Sequence, residues 1–116
     1  MDYSQLSDFE INKRVFKAIV GAIPLGYPHN ADGRSVGNES NGNYRWYDYC
    51  NNPEDAWPII TENKISIMFD STDTRYEGEY HEWCDAISSC QKFGIQHQSN
   101  PLRAAMIVFL MMQRIQ

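Results

Sequence analysis

The chain has 116 residues, a formal net charge of −5 and a sequence pI near 5.0. That length suits one domain spanning 1–116 with one hydrophobic core. The acidic balance argues against non-specific duplex binding, which needs Lys and Arg gathered on one face.

The first predicted element has a clear start. In LSDFEI, Ser7 is placed to cap a helix with Glu10 three residues on, and Leu6 and Ile11 hold the positions of a hydrophobic staple. Ile11, Val15, Ala18, Ile19 and Ala22 then recur at helical spacing, while Asn12, Lys13, Arg14 and Lys17 fall largely opposite. The pattern predicts an amphipathic helix from Asp8 to Val20 that stops at Gly21. Lys13, Arg14 and Lys17 come nearest to a basic cluster, and they lie on its solvated side.

Residues 23–43 change character. The segment is rich in Asn, Gly and Ser and nearly free of aliphatic side chains, so it reads as a flexible exposed loop or insertion, with His29 its one chemically pointed residue. Tyr44, Trp46, Tyr47 and Tyr49 then suit a short strand. Asn52 is the next cap, with Pro53 at the first helical position and Glu54 and Asp55 in the first turn, where the helix dipole favours negative charge. This second helix is expected to be short, ending near Glu62, with Pro58 limiting its regularity.

KISIMFD alternates, so Ile65, Ile67 and Phe69 are expected on the buried face of a strand and Ser66 and Met68 on the other. DSTDTRYEGE reads as a turn, and EYHEWCDAIS as a returning strand with Tyr80, Glu82, Cys84 and Ala86 on one side and His81, Trp83 and Asp85 on the other. QKFGIQHQSN is expected to be irregular. Asn100 and Pro101 repeat the cap-and-proline device ahead of a last helix whose residues Ala104 to Met112 are almost all apolar. More than one face of that helix has to leave water. The expected cover is the first helix, the aromatic strand, or a second copy of the chain in a homodimer through this helix.

Taken together, these elements predict the α+β class: a small antiparallel sheet packed with an N-terminal, a middle and a C-terminal helix. Three cysteines, with no basic start or apolar stretch in MDYSQLSDFE, point to a reducing cytoplasm. The apolar run is about half of the roughly 18 to 20 residues that a membrane span needs, so no membrane role is expected.

Three blocks, YSQLSDFEINK, YCNNPEDAWPIITENKISI and NPLRAAMIVFLMM, resemble the NinX-like family found in tailed phages of enteric bacteria and in their prophages. The layout is also similar to small phage domains described as α-β-α sandwiches. The resemblance implies a host-cell cytoplasmic setting and an accessory role in phage recombination, replication or dealing with the host. It supplies no catalytic residues, and the 23–43 loop and EGEYHEWC lie outside the three blocks.

Candidate chemistry is sparse. His81, Cys84, Cys90 and His97 are the residue types of a zinc site, yet their spacing lacks paired knuckles, and His81 and Cys84 should point to opposite sides of a strand. The expected metal and cofactor content is therefore none. Asp70, Asp73, Glu77, Glu79, Glu82 and Asp85 flank the two strands, and carboxylates so placed can hold Mg²⁺ for phosphodiester cleavage. That gives the alternative reading, a metal-dependent enzyme or binding protein acting on nucleic acid. No nucleophilic triad, Walker loop or dinucleotide fingerprint is present. Aromatic side chains are plentiful, with Trp57 and Trp83 foremost among those expected in the core. The reading favoured is a non-catalytic binding module for a phage or host protein. Its expected face joins Tyr44, Trp46, Tyr47 and Tyr49 to the acidic hairpin residues Asp70, Glu79 and Glu82.

Overall fold

The computed structural model describes residues 2–21, 32–40, 42–72, 75 and 78–113. His29, Asp73, Glu77 and most of the first half of the 23–43 segment lie outside the described residues.

A 3-10 turn at Tyr3–Gln5 leads into helix α1, Asp8–Val20. The cap is as expected: Ser7 Oγ accepts the Glu10 amide at 3.1 Å, and Gly21 closes the helix with φ 78°. At this positive φ a side chain would strain the backbone. The buried face is rotated from expectation. Asn12 and Phe16 join Ile11 and Val15 inside, whereas Ile19 is 48% exposed. Asn12 is tolerated there because its amide is fully used, as described below.

Strand β1, Val36–Ser40, pairs antiparallel with β2, Asn43–Tyr47, in a two-stranded hairpin. The second half of the expected loop is therefore a strand, fastened to the core by Val36, which is wholly buried. At Gly37 the Trp46 ring of the partner strand lies so close that a Cβ would come within 3.0 Å of it. One glycine and one tryptophan thus fill the same cross-strand slot.

Helix α2, Pro53–Glu62, is capped by Asn52, whose side chain accepts the Glu54 amide at 3.1 Å. The chain then turns through Lys64, φ 55°, into β3, Ser66–Ser71. This strand pairs antiparallel with β4, Glu82–Ile87, and β4 with β5, Gly94–Gln98, in the order β3-β4-β5. The segment expected to be irregular supplies β5, with a register shift between Cys84 and Ala86. The strand was hidden because Gly94, Gln96, His97 and Gln98 leave Ile95 as its one large apolar residue.

Helix α3, Pro101–Gln113, is the centre of the stack. It rests on β4 and β5, carries α1 on another flank and touches α2. Every residue from Ala104 to Leu110 is buried. The greasy run is thus covered within the chain, by α1 and the sheet. The α+β class stands, with the strands divided between two antiparallel sheets.

The offset of α3 has a consequence at β3. Phe69 pairs with Cys84 and Ile67 with Ala86, and directly paired residues point to the same face. Cys84 and Ala86 are buried beneath α3, but Phe69 is 74% exposed. The expected face is right and the expected burial is not, because the helix layer sits over β4 and β5 and leaves β3 overhanging.

Candidate functional site

The acidic hairpin end of the three-stranded sheet forms a cleft of about 390 Å³ lined by Phe69, Asp70, Ser71, Tyr80, Glu82 and Trp83. Antiparallel register puts Asp70 opposite Trp83 and Ser71 opposite Glu82, so a carboxylate sits on each strand. Tyr80 OH donates to Glu82 Oε1 at 3.0 Å, and Glu79 lies 3.7 Å from His81 Nε2. Carboxylates beside exposed rings suit a cationic group with an apolar stem, which gains both charge pairing and ring contact. Phe69 and Trp83 were not grouped with the acids on sequence. Their meeting depends on strand register, which no local pattern displays.

The aromatic strand lies elsewhere. Tyr44 is exposed and Trp46 half-buried over Gly37, while Tyr47 stacks on Tyr49 with centroids 5.7 Å apart and tilts against Phe16 at 6.0 Å. Tyr49 is 4% exposed and belongs to the core, where burial raises its phenol pKa. The strand carrying Tyr44, Trp46 and Tyr47 and the acidic hairpin belong to separate sheets, and Tyr49, in the turn that follows, is buried. Trp57, expected in the core, is 60% exposed on α2.

The four zinc-type residues are spread from His81, just before β4, through Cys84 on β4 and Cys90 in the following turn to His97 on β5. Cys84 is buried and its Sγ donates to Gln98 O at 3.2 Å, while His81 is exposed. Cys90 Sγ lies 3.2 Å from Ser88 Oγ, a contact that lowers the thiol pKa. His97 stacks on Trp83 at 5.0 Å. Among the described residues, no three His, Cys, Asp or Glu side chains gather as metal ligands.

A polar seam that sequence patterning missed joins α1, the turn after β2 and the start of α3. Asn12 Nδ2 donates to Asp48 Oδ1 and to Arg34 O, each at 2.9 Å, and Asn12 Oδ1 accepts the Cys50 amide at 3.1 Å. Asp48 Oδ2 also accepts Arg34 Nε at 3.0 Å, and its own amide donates to Asp55 Oδ2 at 2.9 Å. Arg103 clasps Asp8 Oδ1 at 2.8 Å and donates to the carbonyls of Ser4 and Leu6. Asn100 caps α3 through Oδ1 and donates from Nδ2 to Cys50 O at 2.8 Å. Cys50 is enclosed here, and burial, then Asp8, raises its pKa. These polar side chains are spent on one another and on the backbone. The available signal was the Asn and Asp residues repeated at each element start.

A family model described as Bacteriophage P22, NinX matches residues 2–113. The chain belongs to this phage family. No curated protein and no solved structure matches the chain.

Membership in the NinX family makes the chain a phage accessory protein, and the match extends through β1, the acidic hairpin and β5, beyond the three blocks that first suggested it. The polar seam draws on all three blocks, through Asp8 and Asn12, through Asp55 and Asn51, whose Nδ2 donates to Asp8 Oδ2 at 3.0 Å and Asp48 Oδ1 at 3.1 Å, and through Asn100 and Arg103. In this family member those blocks are therefore where the elements are tied together. Among the described residues, no helix is long and apolar enough to cross a membrane.

Proposed function

We propose that this NinX family member is a non-catalytic protein-binding module of the host cytoplasm, and that its acidic and aromatic cleft receives a basic segment of a phage or host protein. The observation that supports this reading is the cleft itself, where Asp70 and Glu82 stand beside the rings of Phe69, Tyr80 and Trp83. Lys or Arg enters such a site with its charged head on the carboxylates and its methylene stem along the rings. The net charge of −5 steers a cationic partner toward the chain and repels nucleic acid phosphates.

The test is a titration with a Lys- and Arg-rich peptide interleaved with Leu, read by tryptophan fluorescence and calorimetry. Binding should weaken with added salt and fall about tenfold in the D70N/E82Q double variant. Equal binding of an acidic peptide of matched length, or no loss in the double variant, would discard the cleft as the site.

A further inference from the structure

Strand β3 is the edge of its sheet, with β4 on one side and, among the described residues, no strand on the other. The direction of its backbone groups follows from one bond. Thr72 N donates to His81 O at 2.9 Å, continuing the β3–β4 ladder by one step, and the register has no shift along β3. Alternation then turns Ser66, Met68 and Asp70 toward β4 and turns Ile67, Phe69 and Ser71 outward. Consistent with this, the outward Ser71 amide bonds to the Asp70 side chain, Oδ1, at 2.8 Å. Ile67 and Phe69 therefore offer N–H and C=O groups to an incoming strand.

Beside that edge lies an apolar trough of about 780 Å³ between α2, β3 and the start of α3, lined by residues including Trp57, Ile60, Lys64, Ile67, Phe69 and Leu102. The edge thus carries a projecting ring, Phe69, next to an apolar recess. An antiparallel strand centred on Met68 would set Phe69 of one copy opposite Ile67 of the other, and opposed residues share a face. Each ring would then enter the other copy's trough. The same arrangement brings the Lys64 end of each edge to the Asp70 and Glu82 end of its mate, which makes the charges complementary under two-fold symmetry.

We infer that a second copy of this chain occupies the β3 edge, extending the sheet across a two-fold axis at Met68 with the Phe69 rings exchanged between troughs. This association uses the strand edge and the trough; it shares Phe69, Asp70 and Glu82 with the cleft proposed for the basic partner but does not require that partner to bind. It also leaves α3 inside each chain, so the seam differs from the helix-mediated dimer that the apolar tail suggested.

Sedimentation equilibrium and register-specific crosslinking test it. The wild-type chain should sediment at twice its 13.5 kDa mass at micromolar concentration. F69K should sediment as a single chain with its circular dichroism retained and a melting temperature that no longer rises with protein concentration, because Phe69 is exposed and its loss removes little intrachain packing. M68C in a C90S background, which removes the exposed native thiol, should form an intermolecular disulfide on mild oxidation, since opposed residues at a non-hydrogen-bonded pair bring their Cβ atoms close. A wild-type monomer overturns the inference, as does a dimer that persists in F69K or an M68C chain that stays reduced. W57A, which alters the trough and leaves every residue of the cleft in place, should weaken the dimer and still bind the basic peptide as wild type does, which separates failure of the edge association from failure of the cleft.

Discussion

The seam around Asn12 and the rim around Phe69 use opposite chemistry in opposite places. At the seam, polar side chains are withdrawn from water and almost every donor meets an acceptor. Asn12, wholly buried, serves Asp48, Arg34 and Cys50 together. At the rim, large carbon surfaces face water, with Phe69 and Trp57 both mostly exposed. A satisfied buried network holds elements in place, and its members have little capacity left for a ligand. Apolar surface left in solvent near a free strand edge is the region with free energy still to gain. The contrast separates residues that build the molecule from those available to bind.

Substitutions sharpen the distinction. The largest effect is expected at the seam: N12L should cost about 3 kcal/mol or more, because it leaves the buried Cys50 amide unpaired and removes a donor from Asp48. A urea titration that returned a midpoint near wild type would show that the seam does not hold the elements together. At the end of α1, G21A should cost about 1 kcal/mol, since φ is 78° and nothing crowds the Cβ position. Here conformation alone is at stake, so the melting temperature should fall by a few degrees with no change in binding. At the rim, W57A should change stability by no more than about 0.5 kcal/mol, the usual range for an exposed position. A large loss there would move Trp57 from the binding region to the structural one and narrow the contrast.

The two regions also differ in how far they could be read from sequence. The caps at Ser7, Asn52 and Asn100 are local devices, so the starts of all three helices were legible within a few residues. Strand β3 and its facing were legible too, because Ile65, Ile67 and Phe69 alternate. The exposure of Phe69 was not legible, since it depends on where α3 lies over the sheet, a relation between residues far apart in the chain. Asn12 misled for a similar reason: periodicity placed it on the polar side of α1, and its partners Arg34, Asp48 and Cys50 come from distant segments. Strand β1 was hidden because four of its five residues are Gly, Asn, Glu and Ser, leaving Val36 as the lone apolar anchor. Of the candidate site, the acidic residues Asp70, Glu79 and Glu82 were visible as composition. The rings beside them became visible only through pairing.

The central place of α3 also bears on how the molecule forms during translation. The segment on which α1 and the β3-β4-β5 sheet both rest lies at 101–113, so it leaves the ribosome last of all the described elements. At elongation rates of about 5–20 residues per second, the earlier helices and strands wait on the order of several seconds for their common support. During that interval Ile11, Val15, Phe16 and the Cys84–Ala86 face have no helix to cover them. Nascent chains stalled before residue 101 should therefore be recognised by chaperones and proteases as unfinished.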